Sequence, residues 1–127
     1  MTRPALILAA TLLLLPVAAG ATGGFECRTA DRSIVLTGSY GAANTNIDAI
    51  FLTARGRTLS TADPRPRIFL TRSWFDEREI RVDLDDNDGR PVARLRTRLR
   101  QGRRFQGTLR LGAATHRVQC EFERMDL

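Results

Sequence analysis

Arginine recurs at every second position of "ARLRTRLR", residues 93–100, where Arg94, Arg96, Arg98 and Arg100 alternate with Ala93, Leu95, Thr97 and Leu99. A row of cations is suited to contact with anions, and a net positive surface favours polyanions. A second stretch of the same character is "RSWFDE", residues 72–77, where Trp74 and Phe75 follow Arg72 and precede Arg78. Adjacent residues of a strand point to opposite sides, so one ring enters the core and the other faces out. An exposed aromatic between arginines has the composition of an interface hot spot. The simpler expectation is that a loop such as 54–67 covers it.

Other constellations fail on spacing. "DLDDNDG", residues 83–89, looks like a calcium loop, but the sixth place from Asp83 is Asp88 instead of glycine, and the twelfth is Arg94 instead of an acid. It reads as an Asx-rich turn. His116 is the one histidine, and none of Ser33, Ser39, Ser60 or Ser73 lies in a nucleophile-elbow pattern. A carboxylate pair for glycoside hydrolysis can be drawn from Asp76, Glu77 or Glu79, but nothing selects among them. Gly-rich phosphate loops and zinc spacings are absent. No catalytic residue, metal or cofactor is expected.

The N-terminus "MTRPALILAATLLLLPVAAGAT" has a basic residue, a short apolar run broken at Pro16, and Ala19-Gly20-Ala21. That is the pattern of a cleaved secretory signal over residues 1–21. A single domain, residues 22–127, follows. Its two cysteines, Cys27 and Cys120, admit one pairing and read as a disulfide in an exported chain. All twenty basic residues are arginine. Removing the signal removes Arg3 and no acid, so the net charge falls from +6 to +5.

The remainder alternates with a period of two. In "REIRVDL" (78–84), Ile80, Val82 and Leu84 face inward; in "VARLRTRLR" (92–100), Ala93, Leu95, Thr97 and Leu99 do. Phe105, Leu109 and Leu111 are the inward set of "RFQGTLRL", and Val118, Cys120 and Phe122 that of "HRVQCEFE". Strands are also expected at 25–29, 33–40, 46–54 and 67–75. Ile47, Ala49, Phe51 and Thr53 share one face of the third of these. Residues 54–67 read as a long loop, and 112–115 as a turn. Short connections imply a meander-rich, all-β fold, either a small antiparallel β-sandwich or a partly open β-barrel. Cys27–Cys120 joins its first and last strands.

Period two also explains the arginine row: it is the polar face of a half-buried strand. Pairing 78–84 with 92–100 at a residue sum of 177 sets Asp83 against Arg94 and Glu79 against Arg98; a sum of 175 sets Glu79 against Arg96. Across the turn at 101–103, Arg98 faces Gln106, Arg96 faces Thr108 and Arg94 faces Arg110. The preferred reading is a solvated ladder of ion pairs, and the alternative is a patch for an anionic partner.

The function expected is that of an exported, non-enzymatic binding or structural module of the cell envelope or extracellular space. Its partner would be another envelope or secreted protein, with weak polyanion contact and no specific nucleic acid. The mature chain has no transmembrane segment. Partner contact is assigned to Trp74, Arg72, Arg78, Arg94, Arg96, Arg98 and Arg100. The runner-up is a small secreted inhibitor of a hydrolase.

Overall fold

The alternating pattern builds nine antiparallel strands in a computed structural model that describes residues 23–41, 47–100, 102 and 104–122. The expected signal segment lies outside the described residues. The strands are β1 (Gly23–Arg28), β2 (Ile34–Tyr40), β3 (Ile47–Ala54), β4 (Arg57–Ser60) and β5 (Phe69–Phe75), followed by β6 (Glu79–Asp85), β7 (Pro91–Leu99), β8 (Phe105–Leu111) and β9 (Ala114–Phe122). They form one sheet in the order β4-β3-β2-β1-β9-β8-β7-β6-β5. Every pairing but one joins consecutive strands, as short turns require. The exception is β1 with β9. The sheet curls into a half-barrel that brings the edge strand β5 against β3. Of the two architectures expected, the open barrel is the one formed.

Inward side chains make one apolar cluster that includes Phe25, Leu36, Ile50, Ile80, Val82, Leu84, Leu95 and Leu109, all nearly inaccessible to solvent. One end is filled by aromatic rings. Phe75 reaches from β5 to Tyr40 and to Phe122, each with ring centroids 4.9 Å away, and Phe122 also meets Phe105 at 4.8 Å. Edge-to-face and tilted pairs of this kind add about 0.5–1.5 kcal/mol each beyond the area they bury. Phe75 thereby fastens an edge strand to β2 and β9 across the inside of the curl.

Cys27 and Cys120 lie directly opposite each other on β1 and β9 and form a fully buried disulfide. This pairing extends over only four residue pairs, Phe25↔Phe122 to Arg28↔Gln119. The covalent bond therefore reinforces the one junction that no short turn holds.

Four local expectations are corrected. Residues 54–67 are not one loop: Arg55 and Gly56 take left-handed φ of 52° and 72°, and this tight turn returns the chain as β4. The turn at 112–115 is shorter, with β9 starting at Ala114. On β3, Ile47 does not share a face with Phe51. A register shift at Ser39/Tyr40 turns Ile47 to the core beside Ile50 and leaves Phe51 exposed. A bulge reverses the alternation in this way, because it inserts one residue without a partner. Leu99, the last residue of β7, is expected inside but is 39% exposed, although its partner Phe105 is buried.

Candidate ligand-binding trough

The strands β5 to β8 present a polar outer face, built by the same alternation that buries Ile80, Val82, Leu95 and Leu109 on the other side. Register sets out its rows. Trp74 is opposite Arg81, Arg81 opposite Arg96, and Arg96 opposite Thr108. One row over, Glu79 is opposite Arg98, and Arg98 opposite Gln106. On the other flank, Arg72 is opposite Asp83, and Asp83 opposite Arg94. The pairing of β6 with β7 is the 177-sum register over residues 79–84.

The side chains do not simply pair along these rows. Asp83 is buried, and Oδ1 accepts a hydrogen bond from Arg96 at 2.7 Å, diagonal to its partner by register. Arg94, directly opposite, approaches the same oxygen at 3.6 Å and makes its close ion pair with Asp85 at 2.8 Å. A bulge between Leu84 and Asp85 frees the Leu84 carbonyl, which accepts from the Arg94 guanidinium. Glu79 is engaged by Arg81, two residues along its own strand, and not by Arg98. Of the two pairs expected in this register, Asp83–Arg94 is made, at 3.6 Å, and Glu79–Arg98 is not; the Arg96–Asp83 bond is one the register does not announce. Among the described residues, Arg72, Arg98 and Arg100 have no carboxylate within ion-pair distance.

The twist of the sheet makes this face a shallow trough of about 880 Å³. Among the described residues, five arginines (Arg72, Arg81, Arg96, Arg98 and Arg100) line it against two carboxylates, Glu79 and Asp83. Its floor is crossed by Gly107, where β8 comes so close to β7 that a Cβ would stand 1.9 Å from the Arg96 carbonyl oxygen. Glycine within a strand permits such close approach and bending.

Trp74 stands on the rim. Its neighbour Phe75 is held in the aromatic cluster, so the indole turns outward and is 55% exposed. The covering loop expected over it is not there: residues 61–68 run from β4 to β5, burying Ile68. The indole N–H donates to Asp76 at 2.9 Å. Asp76 also accepts from the backbone N–H groups of Arg78 and Glu79. These bonds, led by that from Arg78 and then by the indole, lower the Asp76 pKa below its ordinary value.

No protein-family model, curated protein or solved structure matches this chain.

Of the seven residues assigned from sequence, the trough gathers Arg72, Trp74, Arg96, Arg98 and Arg100. Arg94 lies beyond it, tied to Asp85, and Arg78 sits in the turn between β5 and β6. The lining also includes Arg81, Gln106 and Thr108. Arg81 was legible only by pairing β5 with β6 across residues 76–78, which brings it opposite Trp74.

Elsewhere, Asp86 accepts from the backbone of Asp88 and Arg90, both at 2.9 Å, and so organises the β6–β7 turn. No cluster of metal-ligating side chains occurs among the described residues. Among those residues no helix is long and apolar enough to cross a membrane.

Proposed function

We propose that this chain is an exported, non-enzymatic β-domain of the cell envelope or extracellular space, and that it binds an anionic partner in the β5–β8 trough. The observation that carries the reading is the combination on one face of exposed Trp74 with Arg72, Arg98 and Arg100, which have no carboxylate partner among the described residues. Charges of this kind are usually neutralised by neighbours, as Arg94 and Arg96 are. The disulfide suits an oxidising compartment. The sequence pattern of residues 1–21 supports export, and the lack of a recognisable catalytic spacing favours binding over turnover. An inhibitor would present a protruding contact to an active site, whereas Trp74 borders a hollow, which suits reception of a ligand.

The test is retention of the folded protein on an immobilised polyanion such as heparin. Elution is expected at a salt concentration that falls when Arg98→Gln and Arg100→Gln are combined, with an unchanged melting temperature. Exposed charges act over about 8 Å at physiological ionic strength, so the salt dependence is expected to be steep. Elution without retention at low salt would remove the reading.

A further inference from the structure

We infer that the occupant of the trough is an acidic polysaccharide, a glycan chain with roughly one carboxylate or sulfate per sugar ring, laid across β5 to β8 with one ring against Trp74. This rests on the binding function proposed above and names its ligand class.

Trp74 offers a flat apolar surface. Its N–H is already taken by Asp76, so what remains for a ligand is ring face and carbon edge. Stacking on such a face suits the C–H side of a pyranose. Arg98 on β7 and Arg100 just beyond its end both line the trough with no carboxylate partner among the described residues, and a guanidinium fork matches a carboxylate or sulfate with two parallel bonds. On β8, Gln106 opposite Arg98 and Thr108 opposite Arg96 provide neutral donors and acceptors for hydroxyls.

Two features separate the polyanions. Glu79 lies in the same trough, opposite Arg98 and paired with Arg81, and its carboxylate can accept from the hydroxyls that sugar rings offer in number. Single-stranded nucleic acid is also bound by successive aromatic platforms, one base to each, whereas among the described residues Trp74 is the sole aromatic lining this trough. A lipid surface is flat, and insertion into it needs protruding apolar side chains rather than a hollow lined by arginine. Three inter-strand spacings of about 4.8 Å make β5 to β8 about 14 Å across, the length of a few sugar rings.

Trp74 is the only tryptophan of the chain, so its fluorescence reads the site directly. The probes are an oligogalacturonate of six rings, a heparin hexasaccharide, neutral cellohexaose, a single-stranded dT12 oligonucleotide, and phosphatidylglycerol vesicles. Binding is followed by Trp74 emission and, independently, by calorimetry. We expect one or both acidic glycans to shift the emission and to bind at least about tenfold more tightly than cellohexaose or dT12. Trp74→Ala should weaken glycan binding about tenfold by calorimetry, Trp74→Phe should restore most of it, and Arg98→Gln with Arg100→Gln should abolish it. All these side chains are exposed, and retention of the melting temperature certifies the fold. Preference for dT12 or for vesicles, with the same arginine dependence, would overturn the glycan and leave the anion-binding reading standing. Glycan binding indifferent to Trp74→Ala would overturn the stacked ring. No binding to any polyanion at low salt would overturn both proposals.

Discussion

Asp83 and Arg96 are joined at 2.7 Å between adjacent strands, although the residue directly opposite Asp83 is Arg94. The carboxylate is buried beneath two guanidiniums, one bonded and one at 3.6 Å. Removing a buried charge from its partners costs more than making the pair contributes, because the partners are left behind. Both arginines keep some solvent access, which moderates the cost. We expect Asp83→Asn to lower stability by about 1–2 kcal/mol in denaturant unfolding. Arg98→Gln, where the arginine has no carboxylate partner among the described residues, should change it by less than about 0.5 kcal/mol. Equal effects would mean that Asp83 is not the anchor of this face.

That contrast also shows what the sequence reveals and what it hides. The positions of Asp83, Arg94, Glu79 and Arg98 in the ladder follow from period-two alternation and the turn at 86–90, because a slip of one residue would expose every core side chain. The choice of partner does not follow. Glu79 turns to Arg81 along its own strand and Asp83 to Arg96 on a diagonal, since side-chain torsions and sheet twist decide between neighbours of similar distance. A ladder of matched charges could therefore be read from the residues, but not that Arg98 and Arg100 would be left over. Bulges are equally hidden. Nothing in "NIDAIFLTA" announces that Ile47 and Ile50, three apart, share the core. The exposure of Trp74, against the expectation of a covering loop, depends on where residues 61–68 run, which no local pattern shows. The adjacency of β1 and β9 was legible, through two cysteines with only each other to pair with.

The disulfide joins residues 93 apart in sequence at the four-pair junction of β1 with β9. Its removal enlarges the unfolded ensemble and leaves that junction to backbone bonds and side-chain packing. Cys27→Ala with Cys120→Ala should cost about 2–5 kcal/mol. Amide exchange should rise first in β1 and β9. The native protein should show no titratable thiol before reduction. A loss of protection spread evenly over all nine strands would contradict the junction's special role.

Asp31 organises the turn from β1 to β2. Its carboxylate accepts from the Thr29 hydroxyl at 2.7 Å and from the backbone N–H and hydroxyl of Ser33, at 3.0 and 2.8 Å. These bonds, the Thr29 hydroxyl foremost, hold its pKa down at about 2 against an ordinary 3.8. The folded state therefore favours the charged form. Its contribution to stability is complete above about pH 4 and is lost as pH falls from there toward 2. Asp31→Ala should flatten the pH dependence of the melting temperature in that window and leave it alone above pH 5. A dependence that persists unchanged in the variant would assign it to other carboxylates, of which Asp76 is the first to try.

Gly107 and Gly38 both lie within strands, but what opposes them differs. A Cβ at Gly38 would meet the Phe25 ring at 2.4 Å, and a ring can turn aside. At Gly107 it would meet backbone, the Arg96 carbonyl oxygen at 1.9 Å and the Thr97 Cα at 2.7 Å. Strands β7 and β8 would have to part, under the trough. Gly107→Ala should cost about 3 kcal/mol or more, above the usual range for overpacking, and Gly38→Ala about 1–3 kcal/mol. Gly107→Ala should also weaken polyanion retention in protein that remains folded, since Arg96 and Arg98 flank the displaced backbone. The reverse order of costs would show that the core near Phe25 is stiffer than the β7–β8 pairing.

Thr97 faces inward opposite Gly107, is 3% exposed, and its hydroxyl finds no hydrogen-bond partner among the described residues. A buried hydroxyl without a partner carries a desolvation cost of about 1–3 kcal/mol. Valine has nearly the same shape, keeps the branch at Cβ that strands favour, and removes the polar atom. Thr97→Val should therefore stabilise the protein by about 1 kcal/mol, seen as a higher denaturant midpoint at constant slope. Thr97→Ser keeps the hydroxyl and deletes the methyl, so it should destabilise by about 1 kcal/mol. Because Thr97 points away from the arginines, neither change should alter the salt at which the protein leaves a polyanion. Destabilisation by valine would mean that the hydroxyl is satisfied in solution, and a changed elution would mean that the two faces of β7 are coupled.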